Sequence, residues 1–166
     1  MPEARPGPVV SNSGPLIALA CIGQLDLLGR IYGESLVPGA VFREVVEIGA
    51  GRPGASELRA AGWAKRVEVV EMAEPLLAEE LGRGETEAIT LATRAGARLV
   101  LMDDRRARRI AELAYRLRVK GVAGVLLQAK RARLVSAVRP LAHALRANGY
   151  RLSDRLIEAL CREAGE

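Results

Sequence analysis

Five short apolar runs alternate with longer stretches of helical periodicity, and this alternation constrains the fold more than any other feature. The runs are "PVVS" (8–11), "SLVP" (35–38), "VEVVEM" (67–72), "ARLVLM" (97–102) and "RVKGV" (118–122). Each is strand-sized, and turn residues or helical patterns bound it. Between them lie "PLIALACIGQLDLLGRIYG" (15–33), which reads as one or two helices broken near Gly23, and "GAVFREVVEIG" (39–49), which starts beside Pro38. In the latter, Val41, Val45 and Ile48, with Phe42 and Val46, form an apolar face at helical spacing. "GAGRPGAS" (49–56) is a loop by composition. "PLLAEEL" (75–81), "ETEAITLATRAG" (85–96) and "DDRRARRIAELAYRL" (103–117) read as further helices. The chain after residue 122 is helical with a break at "NGYRLSD" (148–154). Strands separated by helices imply βα units, so the expected fold class is α/β. A mostly parallel central sheet lies between two helical layers, with all strand C-termini on one edge. Without repeats or linkers, residues 9–166 read as a single domain and residues 1–8 as a flexible leader.

Composition narrows the function classes. Aromatic residues make up only 3% of the 166, so the core must be Leu, Val, Ile and Ala, and base stacking is not the main recognition device. No apolar run approaches the ~20 residues needed to span a bilayer. "MPEARPGP" lacks the apolar centre of a signal peptide, which points to the cytoplasm. Cys21 and Cys161 form no CxxC pair, and there is one His, a pattern that argues against zinc and for reduced thiols. Residues 1–102 carry 10 Lys/Arg against 13 Asp/Glu, whereas residues 103–151 carry 13 against 3. A basic stretch beside an acidic one suits a polyanion held next to a cation site; a solvated arginine-rich surface is the alternative.

Acidic residues gather where the strands are expected to end. Asn12 follows the first strand, and Asp103 and Asp104 follow the most apolar one. Vicinal carboxylates at a strand end need a cation or an arginine, and here they are a metal site or an ion-pair and helix-capping cluster with Arg105 and Arg106. Glu85 and Glu87 open the helix after Gly84. At about 100° per residue they diverge by about 200°, so only one can face a given site. Glu87 adjoins the apolar side formed by Ala88 and Leu91 and is the inward candidate, with Glu85 as cap or support. Glu44 and Glu47 share a side of the helix over 39–49. With no His or Cys among them, these residues describe an oxygen-only site of the kind that selects Mg²⁺ or Mn²⁺.

The ordered blocks "VVSNSGPLIALACIGQLDLL", "VPGAVFREVV", "GRGETEAITLA", "LVLMDDRRARRIAE" and "VKGVAGVLLQAKRARLVSAVRPLAHALRANGYRLSD" resemble the PIN-domain superfamily, in the branch near the VapC-type toxins. The resemblance spans roughly residues 8–156. It implies a three-layer PIN-like domain, an acidic cluster binding Mg²⁺ or Mn²⁺, and metal-dependent ribonuclease chemistry. Carried over by position, the metal and catalytic residues are Asn12, Glu44, Glu87 and Asp104, with Asp103 and Glu85 as neighbours that assist. Asn12 departs from the pattern, since most such nucleases place Asp there. An amide oxygen can still ligate a hard cation, but contributes no charge; in the alternative, Asn12 only builds the turn.

The basic run Arg105, Arg106, Arg108 and Arg109 follows the acids directly and suits RNA phosphates, unless Arg108 and Arg109 pair with Glu112. The resemblance further implies a homodimer and a small antitoxin protein as partner. The sequence therefore supports a metal-dependent ribonuclease, plausibly the toxin of a toxin–antitoxin pair. Its rival is a catalytically weakened domain that binds RNA or a protein without cleavage. A nucleotide-binding regulator would need a phosphate loop, and "GRG" (82–84) is too short for one.

Overall fold

A computed structural model describes residues 6–71 and 75–166; most of the expected leader and Met72 lie outside the described residues. Among the described residues the sheet has five strands, all parallel, in the order β3-β2-β1-β4-β5. These are β1 (Val9–Ser11), β2 (Ser35–Pro38), β3 (Ala64–Val67), β4 (Leu99–Leu101) and β5 (Val119–Lys120). In register, Val10 stands beside Leu36 on one side and Val100 on the other. Pro8 is already tied to the sheet through the Arg98 N–H.

Side chains alternate across the sheet as strand geometry requires. Val9, Val37 and Leu101 face one core, with α1 (Ser13–Cys21), α2 (Leu27–Tyr32), α4 (Ala55–Ala60), α8 (Val122–Arg131), α9 (Arg139–Ala147) and α10 (Asp154–Glu163). Val10, Val100 and Met102 face the other, with α5 (Pro75–Glu80), α6 (Arg83–Ala95) and α7 (Arg105–Leu113). The result is the expected three-layer α/β/α arrangement. Among the described residues, no helix is long and apolar enough to cross a membrane.

Three local expectations are corrected. The third strand lies at Ala64–Val67 rather than 67–72, because Ser35 donates to the Trp63 carbonyl and sets Ala64 opposite Ser35; Val70 is left exposed. Residues 55–60, expected in part as loop, form α4. The helix over 39–49 is α-helical only over Gly39–Phe42 (α3) and continues as a π-helical turn over Arg43–Ile48, closed by the Gly49 N–H on the Glu44 carbonyl. That i→i+5 bond rotates later residues away from α-helical spacing. Val41, Val45 and Val46 stay buried, whereas Ile48 is 79% exposed.

β1 runs into β2 and β3 on one side, while β4 and β5 lie on its other side. The strand order therefore reverses between β1 and β4, and the crevice at their carboxyl ends is where an open α/β sheet binds ligands. Asn12 and Asp103 occupy those two ends.

Candidate functional site

Asn12 leaves β1 with its N–H on the Leu101 carbonyl and occupies the N-cap position of α1. Its side chain makes no capping hydrogen bond and is 2% exposed. The amide nitrogen donates to Glu85 Oε1 at 3.4 Å, while Oδ1 is buried and has no partner. A carboxylate only accepts, so Glu85 fixes the amide nitrogen toward itself and leaves Oδ1 free of that contact. The Asn12 side chain thus makes no helix-capping hydrogen bond to the backbone of the turn.

Oδ1 looks into a space kept open by Gly84. A Cβ on Gly84 would stand 3.3 Å from Asn12 Oδ1, 3.2 Å from Glu44 Oε2 and 3.4 Å from Val41 Cγ2. Two acceptor oxygens therefore converge on one small volume. Gly84 is buried inside the first turn of α6, where a side chain would press on both oxygens. Glu47 does not share this role. It lines the same cleft of about 440 Å³ but pairs with Arg66 at 3.3 Å, because the π-helical turn separates it from Glu44.

Glu85 and Glu87 have different partners, with Glu87 buried as expected. Glu85 is the one in contact with Asn12. Glu87 is 1% exposed and accepts the Ala40 N–H at 2.7 Å, pinning the start of α3 one turn before Glu44. α6 docks with the Glu87 face against α3, so the acid on the apolar side meets backbone rather than the crevice.

The Asp pair divides likewise. Asp104 is exposed and caps α7, accepting the Ala107 N–H at 2.8 Å. Asp103 turns into the sheet edge, where Oδ1 accepts the Val122 N–H at 2.8 Å and Oδ2 is buried without a partner. Burial pushes its carboxyl above the ordinary range, against the Val122 N–H, the nearby Arg108 guanidinium and the Tyr150 hydroxyl. Tyr150, which sequence reasoning passed over, donates its hydroxyl to the Gly14 carbonyl at 2.6 Å and closes this side. No local signal marks it, because its contact spans 136 residues.

Arg105 and Arg108 line a second cavity of about 630 Å³ with Asp103, Tyr150 and Arg151. Arg106 is engaged elsewhere, in an ion pair with Glu80. Among the described residues Arg105, Arg108 and Arg109 have no ion-pair partner, and Glu112 does not take them.

A family model described as PIN domain matches residues 8–166. The chain belongs to the PIN-domain family. PIN domains are generally nucleases acting on nucleic acid, and they typically use divalent metal ions. No curated protein and no solved structure matches this PIN domain. Its residues suit such an ion in chemistry: the orphaned Asn12 oxygen and the Glu44 and Glu85 carboxylates are all hard oxygen donors. Among the described residues, however, no three acidic, Cys or His side chains stand close enough to hold an ion by themselves. The described contacts set Asn12 Oδ1 and Glu44 Oε2 beside Gly84 and the Asn12 amide nitrogen on Glu85.

Proposed function

We propose that this PIN domain is an Mg²⁺- or Mn²⁺-dependent ribonuclease, whose cation is held by Asn12, Glu44 and Glu85 with Asp103 at the adjoining strand end. The observation that carries this reading is the convergence of Asn12 Oδ1 and Glu44 Oε2 on the space beside Gly84. Asn12 Oδ1 is buried without a partner beside a carboxylate oxygen of the exposed Glu44, and a cation between them would satisfy the amide oxygen and neutralise the carboxylate. When bound, the ion would polarise a water and supply counter-charge for hydrolysis of a phosphodiester.

The chain's own residues do the rest. Arg105 and Arg108 hold the phosphates beside the scissile bond. Glu87 fixes the start of α3 and so the approach of Glu44, and Asp104 sets the first turn of the helix bearing both arginines. In this reading Glu87 and Asp104, the ligands expected from the sequence, act as positioning residues, while Glu85 and Asp103 take their places. A toxin role, with a small antitoxin protein as partner, extends the same reading.

The test is cleavage of single-stranded RNA with Mn²⁺. Activity abolished by EDTA and by Glu44→Gln is the expected result. A second reading is favoured by the uncharged Asn12: a domain that binds RNA and the ion without cleaving. Retained RNA binding and Mn²⁺ binding with no cleavage would select it, and absence of Mn²⁺ binding would overturn both.

A further inference from the structure

At the opposite edge of the sheet, beside the amino ends of β4 and β5, lies a cavity of about 510 Å³ lined by Tyr32, Arg98, Glu112, Arg118, Lys120 and Gln128. Three of these are cations, and among the described residues none of the three has a carboxylate within ion-pair distance. Glu112 is exposed, and the remaining polar groups are neutral.

Lys120 is built into this cavity rather than waving over it. Its stem runs along α8 across Gly124, where a Cβ would stand 2.6 Å from Lys120 Cγ. Its ammonium donates to Gln128 Oε1 at 2.6 Å, and the Tyr32 hydroxyl donates to the same oxygen, also at 2.6 Å. With Gln128 Oε1 taking both hydrogen bonds, the amide nitrogen is left as a donor, and two ammonium N–H groups remain. Arg98 lies over the Tyr32 ring at 5.9 Å, which holds its guanidinium at the mouth. Burial, then Arg131 and Arg98, depress the Lys120 pKa, so a bound anion would relieve the repulsion among these cations. The donors converge, the field is positive, and the volume suits a small ligand.

We propose that this cavity is a second phosphate-binding site, separate from the carboxyl-edge crevice, in which Lys120, Arg98 and Arg118 hold a phosphoryl group. Two sources share that chemistry. One is a phosphate of bound RNA, since Lys120 and Val119 also line the Arg105–Arg108 cavity and join the two basic surfaces around the edge strand. The other is a free nucleotide.

The experiment is done in EDTA, so the cation site is silent and its failure is not confused with this one. Melting of the full chain is followed with inorganic phosphate, adenosine monophosphate and a short oligouridylate. Phosphate should raise the melting temperature of the wild-type protein and of Glu44→Gln alike. Arg98→Gln with Arg118→Gln, and separately Lys120→Met, should weaken the response roughly tenfold or more, the scale of a lost charge-assisted hydrogen bond. Arg118 is exposed, so Arg118→Gln alone serves if the double variant fails to fold. Adenosine monophosphate binding tighter than phosphate assigns the site to a nucleotide. Oligouridylate binding that weakens in the variants, with adenosine monophosphate no better than phosphate, assigns it to RNA. A response unchanged in all variants, or none to any probe, overturns the proposal.

Discussion

The side-chain oxygens of Asn12 and Glu44 approach the same unfilled volume beside Gly84, 3.3 and 3.2 Å from where a Cβ would stand. Among the described residues Asn12 Oδ1 has no donor, while Glu44 is exposed. Asn12 therefore supplies the oxygen of a ligand without its charge, and Asn12→Asp should tighten Mn²⁺ binding about tenfold, worth about 1.4 kcal/mol. It should also raise any RNA cleavage. Without metal, the same variant should melt lower than wild type, because a third carboxylate joins Glu44 and the Glu85 oxygen loses its amide donor. Equal Mn²⁺ affinity in the two proteins, measured by calorimetry, would remove Asn12 from the site.

Glu85 and Glu87 separate by their partners. Mn²⁺ should raise the melting temperature of the wild type by mass action. Glu44→Gln and Glu85→Gln should lose most of that shift, while Glu87→Gln, which keeps an oxygen for the Ala40 N–H, should retain it. Glu87→Ala should instead destabilise the metal-free protein by roughly 1–3 kcal/mol, the cost of an unsatisfied buried donor. A Mn²⁺ shift lost in Glu87→Gln and kept in Glu85→Gln would restore the assignment expected from the sequence.

Arg105 and Arg108 should bind RNA through phosphates. Replacing both by Ala should weaken binding to unrelated sequences and flatten the salt dependence by about one unit per lost contact. Arg106→Ala should do less, because its guanidinium is already engaged by Glu80. An unchanged salt slope in the double variant would sink the phosphate role.

Glu166 ties the last turn of the chain to the start of α9. Its carboxylate accepts the Val138 N–H at 2.6 Å and the Arg139 N–H at 3.1 Å, with Lys130 at 3.4 Å. The Val138 hydrogen bond, with Arg139 and Lys130 behind it, lowers its pKa below the ordinary Glu value. A depressed carboxylate stabilises the fold above the unfolded value, about 4.3, and loses that contribution as pH falls through the folded one. Urea unfolding of Glu166→Gln should therefore show a shallower decline than wild type below about pH 4.3. Parallel profiles in that range would mean the contact contributes nothing.

Much of the fold was legible in the sequence because its cause is local. Continuous apolar runs such as 97–102 can only be buried strands, and helical stretches between them force parallel pairing and one common ligand edge. That reasoning placed Asn12 and Asp103 at the carboxyl ends of two adjacent strands, as found, and the break at Gly23, where φ is +68°.

Choosing within each pair of acids required the tertiary structure. Adjacent or next-adjacent residues differ by a rotation of the element, and the docking of α6 on α3 decided that Glu87 meets a backbone N–H and Glu85 meets Asn12. The turn into α7 likewise gave Asp104 to the helix cap and Asp103 to the interior. The π-helical turn moved Glu44 and Glu47 apart, and Gly84 matters only for a side chain it lacks. The amino-edge cations lie apart in sequence, from Arg98 to Lys120, and only the pairing of β4 with β5 brings them to one cavity. Residue chemistry and periodicity are properties of the chain; the facing of one side chain toward another is a property of packing.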